Sequence, residues 1–121
     1  MAETNVTPID LAAVGRLLDS TDAVLREALE CARRRTDGGK GIDGEQVHCE
    51  RLAYAATEVA AAKQLLAYAH SAAQNGQRDP LVDEMAGVFT AEVAQRLAAN
   101  IDTHAAEFQL LFDWVAQGAL P

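Results

Sequence analysis

A chain of 121 residues holds one domain, or a piece of one. Its net charge of −8 argues against nucleic acid or an anionic membrane as a partner, and no apolar run approaches the roughly 20 residues of a membrane span. Half of the residues are apolar but only 5% are aromatic. Alanine-rich helices approach closely yet bury little area each, so such a chain gains stability by assembling with a copy or a partner.

The opening MAETNVTPID carries neither the basic nor the apolar region of a secretory signal. Cys31 and Cys49 lie on helical patterns without CxxC spacing, and read as small apolar residues of a reducing compartment. The cytoplasm is the expected location. Residues 1–6 are expected to be disordered, 7–117 to form a single helical domain, and 118–121 a tail.

The first helix is expected to start at Thr7-Pro8, with Thr7 as cap, Pro8 at the first position and Asp10 at the third. Leu11, Val14, Leu18, Val24, Leu25, Leu29 and Ala32 follow a helical period. The polar Asp19-Ser20-Thr21-Asp22 stretch is a place for a bend. The helix stops before Asp37-Gly38-Gly39-Lys40-Gly41, where glycine supplies positive φ.

A second helix is expected from Asp43, with Gln46 as capping partner, to Asn75-Gly76. Leu52, Val59, Leu66 and Ala73 mark one apolar face. Tyr54, Ala61 and Tyr68 mark another, which suggests a central helix covered on both sides. A third helix starts at Asp79-Pro80. From Val82 to Val115 apolar residues step by three or four, and the pattern predicts one helix over 80–117, about 57 Å at 1.5 Å per residue. The alternative is a break near 100–103 and a short fourth helix. The expected fold is an all-α, up-and-down antiparallel bundle of three long helices, with or without that fourth.

Phe108, Leu111, Phe112, Trp114 and Val115 concentrate aromatic and aliphatic surface on more than one face, which points to a contact with another chain, with intramolecular core as the alternative. Arg33, Arg34 and Arg35 form the one basic cluster. It fits favourable charge at a helix C-terminus, or a docking point for an acidic partner or a phosphate group. Glu45 and His48 make one Glu-x-x-His, but a di-iron bundle needs two of these and two further glutamates. His70 and His104 lack the preceding glutamate, so no metal site is expected.

Ala32, Arg33, Arg35, Gly39, Lys40, Ile42, Gln46, Arg51, Leu52, Ala53, Ala56 and Thr57 keep the spacing of a known run. In it, an Arg-x-Arg, a Gly-Lys, an Ile and a Gln precede Arg-Leu-Ala and Ala-Thr. The chain thus resembles the C-terminal helical domain of acyl-CoA dehydrogenases over residues 10 to about 105, most sharply over 28–62.

The resemblance implies a helical domain that packs as a dimer of dimers. It also implies an Arg-x-Gln-Phe-Gly segment that reaches the flavin adenine dinucleotide (FAD) of a neighbouring subunit. Arg35 keeps the arginine place and His104 matches a family histidine, which makes them the cofactor-binding candidates. Asp37 stands where the family has glutamine and Gly38 where it has phenylalanine. Ala105-Ala106 replace a Gly-Gly that lets backbone approach the flavin. Asp10 falls on the place of the glutamate base of some members, and Leu11 follows where arginine often does. Asp10 is thus the one catalytic candidate, with first-turn charge as its plain alternative.

The expectation is a relative without its own catalytic machinery. It would act by helix packing, as a homo-oligomer (dimer or tetramer) or as an accessory subunit of a flavoenzyme. FAD would be present only in complex with a partner. Two alternatives are one half of a split FAD-dependent acyl-CoA dehydrogenase, and a bundle that holds an acyl or aromatic guest between its helices.

Overall fold

The computed structural model describes residues 7–108. Expectations for residues 1–6 and for Leu111, Phe112, Trp114, Val115 and the tail lie outside the described residues.

The first helix, α1, spans Leu11–Arg35. It starts three residues later than the Thr7-Pro8 signal suggested. Asp10 is its cap: the carboxylate accepts from the Ala12 amide at 2.9 Å, the role of an N-cap acid. The polar stretch at 19–22 does not interrupt it. Thr21 is buried and its hydroxyl donates to the Leu17 carbonyl at 2.8 Å. Asp22 accepts from Arg26 on the same helix at 2.8 Å and pairs with Lys63 across the bundle at 3.0 Å.

At the C-terminus the Gly38 amide donates to the Arg33 carbonyl and the Asp37 amide to that of Arg34. That is a Schellman closure. The left-handed residue is Asp37, φ 52°, rather than a glycine; Gly38 and Gly39 continue the turn at positive φ.

A 3-10 turn, Ile42–Glu45, leads into α2, Gln46–Gln74. The expected α-helical start at Asp43 is thus a tighter turn. Gln46 reaches Asp43 only at 3.5 Å, and α2 has no side-chain cap. Asn75-Gly76 ends α2 as the sequence suggests, with Gly76 at φ 70° and the Gln77 amide donating to Ala72. The third helix, α3, spans Pro80–Thr103 with Asp79 as its cap on Leu81. The continuous helix over 80–117 is not formed. His104, at φ −122° and ψ 38°, ends α3, and a single turn, α4, follows at Ala105–Phe108. Asn100, Asp102 and Thr103 are poor helix formers, and the turn lets Phe108 reach the core.

Buried positions repeat at alternating steps of three and four on each long helix: 11, 14, 18, 21, 25, 28 and 32 on α1, with Cys31 also buried beside them; 48, 52, 55, 59, 62, 66 and 69 on α2; 83, 86, 90, 93 and 97 on α3. This is the seam of a bundle of nearly aligned helices. Each long helix touches the other two. Asp22 meets Lys63 and Arg35 meets Glu45, so α2 runs antiparallel to α1. Ala28 and Ala86 are fully buried where helices approach closely. The second apolar face expected of α2 is uncovered: Tyr54 and Tyr68 are each 63% exposed.

Candidate functional site

The cluster that draws most of the site candidates together is at the end of the bundle where α1 stops, α2 begins and α4 closes over both. Arg35, the last residue of α1, directs its guanidinium inward along the turn. Its Nε donates to Glu45 at 2.8 Å, and its terminal nitrogen to the carbonyls of Glu107 at 2.8 Å and Ala106 at 3.3 Å. Arg51, one turn and a half into α2, donates to the Glu107 carboxylate at 2.7 Å. Two arginines thus clasp α4, one by its backbone and one by its side chain.

His48 lies under this clasp. It is 2% exposed, and neither ring nitrogen has a hydrogen-bond partner. Glu107 stands 3.8 Å from Nδ1. Burial lowers the His48 pKa from its ordinary 6.5; the negative charges of Glu107 and Glu45 oppose that shift, and the positive charges of Arg35 and Arg51 add to it. Burial thus favours the neutral imidazole, and both its nitrogens are withdrawn from water. A groove of about 340 Å3 opens beside it, lined by Asp43, Glu45, Gln46, His48 and Glu107.

The other candidates are placed apart. Asp10 caps α1 and is exposed. His104 is the hinge between α3 and α4: its amide donates to Asn100, and its carbonyl accepts from Glu107 and Phe108. Phe108, grouped by sequence with a surface for another chain, is 1% exposed inside this chain's own core. Within the basic cluster, Arg33 binds Glu30 through two hydrogen bonds and Arg34 contacts the Cys31 sulfur at 3.3 Å. Cys31 and Cys49 are not in a disulfide. Glu45 and His48 do not converge: the carboxylate faces Arg35, the imidazole Phe108. Among the described residues no three His, Cys, Asp or Glu side chains are placed to hold a metal ion.

Arg51 entered the sequence reading only as part of the family run and Glu107 not at all, because their pairing spans 56 positions. Arg78 and Asp83 were missed too. Asp83 is buried; one carboxylate oxygen accepts from Arg78 at 2.6 Å and the other has no partner. A charged residue placed at a buried seam position was the available signal. The clasp holds no exposed nucleophile beside a base, and its imidazole nitrogens are closed to a substrate. Its chemistry is that of a closure.

No helix among the described residues is long and apolar enough to cross a membrane. No curated protein and no solved structure matches the chain. A family model described as acyl-CoA dehydrogenase, C-terminal domain, matches residues 11–106. That span runs from the first residue of α1 into α4 and takes in the whole three-helix core. The chain belongs to the acyl-CoA dehydrogenase C-terminal domain family.

Proposed function

We propose that the chain is a packing module of this family without catalytic machinery of its own, and that it works by self-association through α3. The observation that carries this reading is a stripe on α3. Leu81, Met85 and Val88 are 61%, 51% and 57% exposed and follow one another at helical spacing. With Leu65 and Phe89 they line a groove of about 420 Å3. A run of large apolar side chains along one helix face is a surface that another helix covers.

In this reading the chain alone does not hold FAD. Arg35, at the family's arginine position, is engaged by Glu45 and by two carbonyls of α4. Asp37 brings a carboxylate to a turn where a pyrophosphate would need donors. Ala105 and Ala106 carry Cβ atoms on a helical turn in place of bare glycine backbone. Without the cofactor there is no route to dehydrogenation of an acyl chain.

Sedimentation velocity on the intact chain and on Met85→Lys, each with a visible spectrum, tests the reading. The wild type is expected to sediment as a colourless dimer or larger species. Met85→Lys, at an exposed site, is expected to be a folded monomer. A monomeric wild type at tens of micromolar would sink self-association. The accessory-subunit form would then be tested by mixing with a full-length acyl-CoA dehydrogenase and following flavin absorbance.

A further inference from the structure

His48 is buried at the closing end of the bundle with both ring nitrogens unpartnered. Charged groups face it from four elements: Arg35 from α1, Glu45 from the 3-10 turn, Arg51 from α2 and Glu107 from α4. Two positive and two negative groups balance around an uncharged ring. An imidazolium would carry two N–H donors instead. Glu107 Oε2 is 3.8 Å from Nδ1 and already accepts from Arg51 at 2.7 Å. Nε2 has no acceptor. A third positive charge beside Arg35 and Arg51 is therefore neither paired nor solvated, which is the costly case for a buried ion.

The elements around His48 differ in how readily they yield. α1 and α2 are 25 and 29 residues long and share the buried seam. α4 is one turn of four residues. It hangs from α3 at His104 and is held by Arg35 on two of its carbonyls, by Arg51 on the Glu107 carboxylate and by Phe108 in the core. The Phe108 ring is also the one that lies edge-on to the imidazole. Lifting α4 thus returns His48 to water in a single movement. The groove of about 340 Å3 lined by His48 and Glu107 brings water up to this contact without any opening.

We infer that α4 is an acid-released latch: protonation of His48 swings α4 outward about His104 and bares the end of the bundle, while α1, α2 and α3 stay packed. Local opening of a short, peripheral element costs less than unfolding the core, so the proton acts there first. The direction follows from burial. The closed form disfavours the charged ring and the open form accepts the proton at its ordinary value. The latch is shut above about pH 6.5 and is released as pH falls through the closed-state value. It lies beyond the C-terminal end of α3, whereas the Leu81, Met85 and Val88 stripe is near the start of that helix, so it does not depend on self-association.

Nuclear magnetic resonance on the intact chain between pH 8 and 5 tests the latch. The His48 ring signal, assigned by its absence in His48→Phe, and the Glu107 and Phe108 amides are expected to titrate with one shared midpoint. Helical circular dichroism is expected to lose no more than a single turn. In His48→Phe the two amides are expected to be silent over this range. Ala106→Gly, at an exposed position of α4, loosens the turn without changing a charge and is expected to raise the shared midpoint by about half a pH unit. Ala61→Gly, at an exposed position in the middle of α2, is expected to leave it in place. A midpoint that moves equally in both glycine variants would show that the whole bundle responds, and would overturn the inference. Indifference to Ala106→Gly, a ring and α4 amides that titrate apart, or a closed α4 down to pH 5 would overturn it too. So would α4 amides that gain protection in acid, the sign of an imidazolium drawn to Glu107.

Discussion

The ring of Phe108 stands edge-on to the imidazole of His48, with centroids 4.8 Å apart and planes at 88°. This one contact ties the last described turn to the start of α2, 60 positions earlier. It also seals a titratable group away from water, and a pH dependence follows.

The His48 pKa in the folded chain lies below its ordinary value because burial disfavours the charged ring. The unfolded chain therefore binds the proton more readily. Stability from this residue is fully present above about pH 6.5 and is lost as pH falls through the folded pKa. Asp22 and Glu30 are also lowered, by hydrogen bonds from Arg26 and Arg33 respectively, but their losses come in the carboxylate range. Urea unfolding at pH 8, 6.5 and 5 is expected to show a fall between the last two that His48→Phe removes. An unchanged slope in His48→Phe would assign it elsewhere.

Arg35→Ala removes the ion pair with Glu45 and both hydrogen bonds to α4 carbonyls. The expected loss is about 1–2 kcal/mol, felt at α4 more than across the bundle. Hydrogen exchange at the Glu107 and Phe108 amides is expected to quicken about tenfold, while amides at the middle of α2 keep their protection. Uniform acceleration would mean that the clasp supports the whole bundle.

Asp10→Ala is expected to cost about 1 kcal/mol, the loss of a helix cap, whereas Asp10→Asn retains most of that stability. Thermal or urea unfolding of the two variants separates a cap from a carboxylate required for its charge. Equal losses in both would contradict capping.

Two substitutions are expected to stabilise. Gly15 lies inside α1, and an added Cβ would meet only Leu66 Cδ2, at 3.8 Å. Gly15→Ala is expected to gain about 0.5–1 kcal/mol from helix propensity. Thr90 is fully buried and its hydroxyl has no partner. Thr90→Val is expected to gain about 1–2 kcal/mol by removing an unsatisfied polar group. Chemical denaturation measures both, and a loss in either would reveal a contact or a bound water at that site.

Much of the fold was legible in the chain of residues. Asp79-Pro80 begins a helix and Asn75-Gly76 ends one where local chemistry says they must, because a cap, a proline and a left-handed glycine act within a few residues. The seven-residue spacing of Leu52, Val59 and Leu66 marked the buried seam for the same reason, and the Arg-x-Arg spacing around Arg35 marked the family.

Other features depended on contacts distant in sequence. Thr7-Pro8 carries a valid start signal, yet Asp10 is the cap. Ile9 packs instead on the core and on the side where Gly87 leaves room. Tyr54 and Tyr68 fit an apolar face, yet α1 and α3 cover only one side of α2. The apolar steps from Val82 to Val115 fit one long helix, yet α3 breaks at His104, where Phe108 can bury against His48 and Arg35 and Arg51 can clasp the turn. Periodicity states which residues share a helix face. It cannot state which partner covers that face, because burial and pairing are settled by segments 56 to 72 positions away.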